Sequence, residues 1–425
     1  MATDRKKRKI RLFKFKKDKK KPETVKENQP KNSNKHSKRN SDTSEQNSKL
    51  KLINGKRKKN LVKRIVVYSL IVAVVIAIFV INLLTPTGII EALQNKYNAM
   101  GEGIFPINVY STNAKAFSSF NNMYGVLNDS FFELYNPEGK LIQAVSHGMS
   151  NAQLEVSEAR YLIYDRDRYT LSVYNYGDKL FGAKYDDAIS SADIGRDGTF
   201  AVVTDSKSFQ NTVYVYNKNN ESVFTWNSAN YYVTDVAVAD DGESIAVCLL
   251  NSVGGAFESF VYILEFDSAE PVFRFKFNDI VSSLTSCGEN YILANGFDRA
   301  YTIPWNSGAE YDLKVTGIVR CYDFNVNSAS CVVSGREDNG HVNTVTVINE
   351  FGTINCSFEF NTTVNDVCLN ETEIAILTDN EVYVYDHFGA LKKTMKSTVK
   401  GSFVGIIDTG EVAVLDSSKM IKLEQ

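Results

Sequence analysis

The chain has 425 residues with 6 cysteines, 4 histidines and a formal net charge of −2. Residues 1–64 carry 25 Lys and Arg against 6 Asp and Glu, whereas residues 85–425 carry 23 against 44. This division excludes a single environment for the whole chain, and the lack of a Cys-x-x-Cys motif or of clustered histidines excludes the usual zinc and haem patterns.

The N-terminal segment, residues 1–64, is rich in Lys, Asn and Ser. Residues 16–49 hold almost no large apolar side chain, so they cannot bury enough surface to offset the entropy of ordering, and a disordered tail is predicted. A solvated tail that sets membrane topology is the preferred interpretation. Contact with anionic lipid, worth about 1 kcal/mol per cation, is the second, and nucleic acid is the least favoured partner.

Residues 65–84 contain no charged side chain. A helix over them rises about 30 Å, the hydrocarbon thickness of a bilayer. Buried soluble helices rarely run so far without a charged face, and a cleavable signal sequence has a shorter apolar core, so an uncleaved anchor is predicted. Cations crowd residues 56–64 and are missing from residues 85–94. The positive-inside rule therefore predicts a single-pass membrane protein with a cytoplasmic N-terminus and an extracytoplasmic C-terminal domain.

Residues 85–103 form the predicted link between the anchor and that domain. Within it, Ile89, Ile90, Leu93 and Tyr97 fall on one face of a predicted helix. That face could dock under the following domain or pair with a second copy of the chain. A plain juxtamembrane stalk is the preferred interpretation.

From residue 104 onward, short segments rich in Val, Ile, Tyr and Phe alternate with turn residues. Turns marked by Gly or Pro recur about every 40 residues, each between two strand-like runs, which is typical of the last hairpin in a propeller blade. The second strand of each repeat is apolar, as in the middle of a blade that is covered on both faces. Complete repeats start near residues 116, 152, 188, 233, 280, 318 and 364.

An eighth repeat starts near Gly401 and ends one strand short. Ile104–Tyr110 precedes the first full repeat and can supply the missing strand, which leaves no open sheet edge. The sequence therefore predicts an all-β fold, an eight-bladed β-propeller over residues 104–425 that is closed by strands from both of its ends. Seven blades are the fallback, because no clear first strand precedes Arg160–Tyr164 in the second repeat.

One position in the first strand of the aligned repeats carries small polar or acidic residues. Because the innermost strands of a propeller line its central channel, these side chains are candidates for a ring around the channel. The alternative, which is preferred, is that they bond to neighbouring backbone and hold adjacent blades together. The candidates are Ser191, Asp235, Ser283, Cys321 and Asp366.

Motifs of known propeller enzymes are missing from the sequence. Trp226 and Trp305 are its only tryptophans, too few for quinone stacking and docking motifs. Ser191–Gly195 matches half of one Asp-box, and the pairs Asp186-Asp187 and Asp240-Asp241 are explained by turn chemistry rather than by acid–base catalysis or calcium binding. No catalytic residue, metal ligand or cofactor is assigned, and a non-enzyme is favoured.

The six cysteines are at positions 248, 287, 321, 331, 356 and 368. Disulfides are permitted outside the cytoplasm, and Cys321 and Cys331 flank one predicted hairpin. Their parity about the turn does not place them directly opposite each other. Small buried thiols are the preferred interpretation.

Three stretches carry a resemblance to a known family: Gly101–Pro106, His147-Gly148 ahead of Arg160–Asp165, and Val233–Ala237. Over residues 100–425 the layout resembles an uncharacterised bacterial family of unknown function, whose members join a basic tail and one membrane helix to a propeller similar to quinoprotein and WD-repeat propellers. The resemblance implies membrane anchorage and a propeller, and it brings no catalytic residues.

Three functions fit these features. The preferred one is a membrane-tethered extracytoplasmic scaffold that binds a protein, a peptide or a cell-envelope polymer. Its acidic charge indicates either a cationic partner or simple solubility. The alternative is a cell-envelope hydrolase or lyase with its site at the propeller channel. A receptor that relays a signal to the basic tail is the third and weakest.

Overall fold

The structure is a computed structural model of the chain. It describes residues 61–81, 85, 87–110, 113–315, 318–324, 329–335, 343–379 and 381–423, with side chains left undescribed in 318–324. The chain divides into two compact units, Met1–Ala73 and Val74–Gln425. The predicted disordered tail lies almost entirely outside the described residues.

Helix α1 spans Leu61–Ile81 and has a mean hydropathy of 2.8. It is the one helix in the described part of the chain that is long and apolar enough to cross a bilayer, a property that a signal sequence can share. It begins four residues before the predicted anchor at residue 65, because Leu61 to Arg64 also form helix. The predicted end at residue 84 lies outside the described residues.

Eight four-stranded antiparallel sheets follow, and each is one blade of a propeller. The eight-bladed all-β prediction is confirmed. In blades 1 to 4 the strands are β2 (Ala114–Phe120), β3 (Met123–Asn128), β4 (Phe131–Tyr135) and β5 (Leu141–Ser146); β6 (Ala152–Val156), β7 (Tyr161–Asp165), β8 (Thr170–Tyr174) and β9 (Lys179–Lys184); β10 (Ile189–Ile194), β11 (Phe200–Asp205), β12 (Asn211–Tyr216) and β13 (Ser222–Ser228); β14 (Tyr232–Val238), β15 (Ser244–Val253), β16 (Ala256–Glu265) and β17 (Phe273–Phe277).

The remaining blades repeat this pattern of four adjacent antiparallel strands. In blades 5 to 8 the strands are β18 (Val281–Cys287), β19 (Tyr291–Gly296), β20 (Ala300–Pro304) and β21 (Tyr311–Asp312); β22 (Ile318–Phe324), β23 (Ser330–Gly335), β24 (Asn343–Ile348) and β25 (Ile354–Phe360); β26 (Val364–Leu369), β27 (Glu373–Thr378), β28 (Glu381–Asp386) and β29 (Leu391–Lys396); β30 (Phe403–Ile406), β31 (Val412–Leu415), β32 (Lys419–Lys422) and β1 (Ile107–Asn108).

Ring closure occurs where the sequence predicts it. Strand β1 adds to β32 in antiparallel register, with Ile107 opposite Met420 and Asn108 opposite Lys419. The buried side chains of Ile107 and Met420 then pack in one cluster with Tyr124 of blade 1. The last blade is thereby joined to the first by both backbone pairing and apolar contact.

The second repeat, on which the seven-blade fallback depends, forms a complete blade. Its first strand β6 pairs with β7, with Gln153 opposite Tyr164. The sequence does not clearly indicate this strand, because Ala152–Val156 is only half-buried along most of its length and lacks a clear apolar pattern.

Blades pack through the second strands, whose side chains alternate between two neighbours. In β15 of blade 4, Ile245 and Val247 belong to a cluster shared with blade 3, whereas Ala246 and Cys248 belong to one shared with blade 5. Both sides of the strand are therefore buried, which explains why second strands read as continuous apolar runs.

The turns of an antiparallel blade alternate between the two ends of its strands, so the ring has two distinct faces. Turns between first and second strands, and between third and fourth strands, lie on the face that also carries helix α2 (Ile89–Asn98). We call this the α2 face. Turns between second and third strands lie on the opposite side, which we call the far face.

Helix α2 is docked, against the preferred prediction of a plain stalk. The side chain of Asn95 is buried and donates a hydrogen bond to the carbonyl oxygen of Ala159 at 2.9 Å. Docking was among the predicted alternatives, but the helix side that makes the contact differs from the predicted apolar one.

Of the five cysteines whose side chains are described, Cys248, Cys287, Cys331 and Cys368 are buried and Cys356 is half-buried. The burial of the first four agrees with the prediction of small buried side chains, and Cys356 departs from it. In the backbone register of blade 6, Cys321 lies opposite Val333 and Cys331 lies opposite Asp323. The two cysteines are therefore not cross-strand partners.

Candidate functional site

The predicted site residues share a backbone feature. Register shifts interrupt the pairing of the first and second strands in blades 1 and 3 to 7, and in each of them the residue after the shift resumes the pairing. Such bulges change the direction in which the next side chain points. The residues at this position are Ala116 in blade 1 and the predicted Ser191, Asp235, Ser283, Cys321 and Asp366 in blades 3 to 7.

Asp235 connects three blades through one carboxylate. Its Oδ1 accepts a 2.5 Å hydrogen bond from Ser191 Oγ on blade 3, and its Oδ2 accepts a 2.8 Å bond from the backbone N–H of Leu284 on blade 5. Burial raises the pKa of Asp235 to about 6, while these hydrogen bonds act in the opposite direction.

Two further aspartates make the same connection to the next blade. Asp366 Oδ2 accepts a 2.9 Å hydrogen bond from the N–H of Val404, which joins blade 7 to blade 8. Asp193 Oδ2 accepts a 2.7 Å bond from the N–H of Val238, which joins blade 3 to blade 4. The carboxylates of Asp366 and Asp193 thus bond to the first strand of the next blade.

A cavity of about 260 Å³ lies between the first strands of blades 1 to 5. Of the predicted residues, Asp235 lines it, whereas Ser191, Ser283 and Asp366 are not among its lining residues. The side chain of Cys321 lies outside the described residues. The structure therefore brings Ser191 and Asp235 together and places Asp366 on the other side of the ring.

Three acidic residues in this cavity are missing from the predicted set. Burial raises the pKa of Glu155 well above its usual value, and it raises those of Asp193 and Asp240 to about 7. Asp193 could have been found, since it lies two residues after Ser191 in the same strand and so on the same side. Glu155 lies in a weak first strand that no sequence pattern marks. Asp240 belongs to the Asp240-Asp241 pair, which the sequence assigns to a turn rather than to a site.

The cavity is smaller than a typical ligand site. Small-molecule sites usually enclose about 300–1,000 Å³, so the volume of this cavity falls just below that range. Arg196 lines the cavity and forms an ion pair with Glu158, with 2.5 Å between Arg196 Nε and Glu158 Oε2. Among the described residues, no group of three His, Cys, Asp or Glu side chains is arranged to hold a metal ion.

The far face carries an arc of exposed apolar side chains on four consecutive blades. The longest hairpin, β15–β16, places Val253 and Phe257 at its tip beside Gly254 and Gly255. Both glycines have positive φ, 60° and 85°, which a two-residue turn of this kind requires. The other exposed members are Tyr169 of blade 2, Phe209 and Tyr232 at blades 3 and 4, and Ile280 and Phe297 of blade 5.

These residues lie at turns between second and third strands or at the entry to first strands, and five of them are aromatic. Sequence analysis missed the arc, because single aromatic residues in turns carry no periodic signal. The Gly254-Gly255 pair between two strand-like runs is the one signal that could have located the projecting hairpin.

A family model matches residues 106–423, from the start of the closing strand to the end of β32. The chain belongs to a family of unknown function, DUF5711. The match covers about three-quarters of the chain and coincides with the closed ring, so the predicted family resemblance is confirmed. No curated protein matches this DUF5711 chain by sequence.

Several solved structures are similar to this DUF5711 chain. Sqt1 from Saccharomyces cerevisiae matches with a TM-score of 0.53 and 10% identity over 77% of this chain and 100% of that one. The C-terminal WD40 domain of Sif2 matches with a TM-score of 0.51 and 15% identity over 76% and 99%. BamB from Moraxella catarrhalis matches with a TM-score of 0.49 and 12% identity over 76% and 99%. The first two support the propeller fold and nothing finer.

Proposed function

We propose that this chain is a membrane-anchored, extracytoplasmic scaffold that binds a protein partner through the far face of its propeller. Helix α1 is its anchor in the cell membrane, and the basic residues 1–64 lie in the cytoplasm. The apolar helix and the contrast between a basic tail and an acidic domain support this arrangement.

The observation that carries the proposal is the far-face arc. Burying one such side chain in an interface is worth about 1.5–3 kcal/mol, and aromatic residues are enriched among binding hot spots. Exposed apolar side chains grouped on one face mark interaction sites more often than chance. The projecting hairpin β15–β16 adds a raised element on which a partner can close.

The chemistry of this face selects a class of partner. Acidic side chains stand among the exposed aromatics, including Asp205, whose Oδ1 accepts a 3.4 Å hydrogen bond from the Tyr232 hydroxyl. The domain as a whole carries 44 acidic against 23 basic residues. A protein surface with apolar and cationic side chains complements both properties, and charge attraction accelerates the encounter.

Site-specific photo-crosslinking in native membranes tests this function. A photoreactive amino acid replaces Phe257 or Phe297 on the far face, and matched variants carry it at Phe351 or Phe388, which are exposed on the α2 face. We expect a discrete protein adduct from the far-face positions. Equal labelling from both faces would contradict the proposal.

A second variant removes two exposed aromatic side chains of the far-face arc and leaves the core unchanged. Phe257→Ser with Phe297→Ser should weaken capture of the crosslinked partner at least tenfold, since losing an aromatic hot spot costs about 1.4 kcal/mol or more. Phe351→Ser with Phe388→Ser is the control and should leave capture unchanged.

The channel acids favour a second candidate, an envelope hydrolase or lyase. Asp240 has its pKa raised to about 7 by burial, as a general acid requires. Its test is Asp240→Asn, which should abolish complementation of a deletion strain if this residue acts chemically. Full complementation would count against the enzyme.

A further inference from the structure

Helix α2 presents an apolar stripe to solvent. Ile90, Leu93 and Tyr97 lie three and four residues apart on one helix face, and Met100 continues the line beyond the helix end. Their exposed fractions are 79%, 61%, 76% and 58%. An amphipathic helix of a globular domain normally buries this side and exposes the polar one.

The polar side of α2 is the side that is bound. Asn95 is 3% exposed; its Nδ2 donates to the carbonyl oxygen of Ala159 at 2.9 Å, and its Oδ1 accepts from the N–H of Tyr176 at 3.2 Å. Both Asn95 contacts lie within the turns of blade 2. The helix therefore cannot rotate its stripe inward without leaving a buried amide unsatisfied.

An ion pair fixes the same orientation. Arg160 donates to Glu91 through Nε at 2.7 Å and through Nη2 at 2.6 Å, and its Nη1 donates to the carbonyl oxygen of Lys218 on blade 3. The two charged side chains are only 6% and 13% exposed. A two-bond contact of this kind sets direction as well as distance.

The segment after the helix is held to blade 1. Asn136 Nδ2 donates to the carbonyl oxygens of Ala99 at 3.0 Å and Gly101 at 2.7 Å, and Lys140 Nζ donates to that of Met100 at 2.5 Å. The stripe from Ile90 to Met100 is thus fixed to blades 1 and 2 as one outward-facing ridge.

We propose that this stripe lies in the interface of the lipid bilayer and seats the propeller with its α2 face on the membrane. The inference rests on the membrane anchoring in the proposed function. Residues 82–88 lie between the described part of α1 and the start of α2. Seven residues reach at most about 25 Å, so α2 begins close to the point where the anchor leaves the hydrocarbon.

The composition of the stripe matches this position. Tyrosine is enriched at membrane interfaces, where its ring is buried and its hydroxyl remains wet, and Lys96 beside Tyr97 can extend to the headgroups. Helices that lie in the interface plane show an apolar face of this kind beside polar residues.

The wide distribution of exposed apolar residues on the α2 face favours a bilayer surface as the partner over a second copy of α2. Phe351 and Phe388 occupy corresponding turns of blades 6 and 7 on the α2 face and are 74% and 83% exposed. These blades are separated from the blades that hold α2 by part of the ring. A bilayer surface reaches both places at once, whereas a second copy of a short helix covers only the stripe.

Quenching of tryptophan fluorescence by lipid tests whether the stripe lies in the bilayer interface. The measurement uses the full chain in phosphatidylcholine vesicles. Leu93→Trp places a probe in the stripe, and Phe297→Trp places a matched probe on the far face. The unmodified chain, with Trp226 and Trp305, supplies the background. We expect brominated phosphatidylcholine to quench the stripe probe several-fold more than the far-face probe, with a blue-shifted emission from the stripe probe.

If the chain floats with the vesicles and the two probes are quenched equally, the proposal that the stripe lies in the membrane interface is wrong. The proposal that α1 anchors the chain would still hold. Failure of the chain to float would overturn both. A blue shift without quenching, lost in nanodiscs that hold one copy, would assign the stripe to a second copy and also overturn the proposal.

A variant without a new probe gives an independent measure. Leu93→Ser with Tyr97→Ser alters only exposed side chains, so the propeller should fold normally, as circular dichroism can show. We expect protease access to the α2 face in vesicles to increase several-fold. Unchanged protease access would count against contact between the α2 face and the membrane.

Discussion

Ser191 and Asp235 lie 44 residues apart and meet across a blade boundary, where the serine hydroxyl donates a 2.5 Å hydrogen bond to the carboxylate. The other oxygen of Asp235 accepts from the backbone of the next blade. One carboxylate thus replaces the main-chain pairing that separate sheets lack. Asp366 at the aligned position of blade 7, and Asp193 two residues beyond that position in blade 3, also accept from the backbone of the next blade, so these carboxylates hold adjacent blades together.

Asp235→Ala should destabilise the propeller. The change leaves the buried Leu284 N–H without its acceptor, and an unsatisfied buried donor costs about 1–3 kcal/mol. Urea unfolding of the full chain in detergent, followed by tryptophan fluorescence, measures the loss. Ser283→Ala, at the corresponding position of blade 5, is the control and should change stability by less than about 0.5 kcal/mol. Equal effects of the two changes would refute the role of Asp235.

Stability should depend on pH. Burial raises the pKa of Asp235 to about 6 and those of Asp193 and Asp240 to about 7, whereas an unfolded aspartate titrates near 4. The folded state therefore binds more protons between pH 4 and 7, and this contribution to stability is lost as pH rises through 6 to 7. His387, whose pKa is lowered by burial, acts in the opposite direction below its ordinary value.

Thermal melts at pH 5.5 and pH 8 measure this dependence. We expect a lower midpoint at pH 8 and a smaller difference in Asp240→Asn, which no longer titrates. Asp241→Asn, on the adjacent exposed turn position, is the matched control and should keep the full difference. A midpoint that rises toward pH 8 in the unmodified chain would contradict the cluster's effect.

Glu91→Gln should loosen helix α2 without unfolding the ring. Removing one partner of a buried ion pair leaves Arg160 buried and uncompensated, at a cost of about 3–5 kcal/mol to the docked state. Hydrogen exchange should accelerate in residues 89–98 and stay unchanged in β7. Glu270→Gln breaks the exposed pair with Arg274, worth about 0–1 kcal/mol, and should alter neither region. Unchanged exchange in α2 would show that the pair does not fix the helix.

Ile107→Ala should weaken ring closure. Ile107 is buried in the cluster that joins blades 8 and 1, and truncating a core isoleucine to alanine costs about 2–5 kcal/mol. Ile104→Ala removes the same atoms three residues earlier, where the side chain is 83% exposed, and should cost less than about 0.5 kcal/mol. Denaturant midpoints of the two variants in detergent measure the difference. Similar midpoints would mean that the closing strand is dispensable.

The repeat architecture can be predicted from the sequence. Each blade is a local meander whose turns and apolar second strand recur at a fixed period, so seven blades were located from neighbouring residues alone. Counting strands predicts a closing strand in Ile104–Tyr110, because an incomplete last blade needs a donor, and the structure confines that strand to Ile107–Asn108. The alignment also placed Asp235 and Asp366 at one structural position, since the bulge before each recurs with the repeat.

Only the tertiary structure decided what these residues contact. Glu155, Asp193 and Asp240 meet in one cavity because ring closure brings together three repeats that lie far apart in sequence, and no local pattern encodes that contact. The orientation of α2 was reversed from its apolar pattern for the same reason: Asn95 and Glu91 find partners 64 and 69 residues away. Periodicity specifies elements that repeat, whereas sites arise where distant elements converge, and their energies depend on burial that exists only in the folded ring.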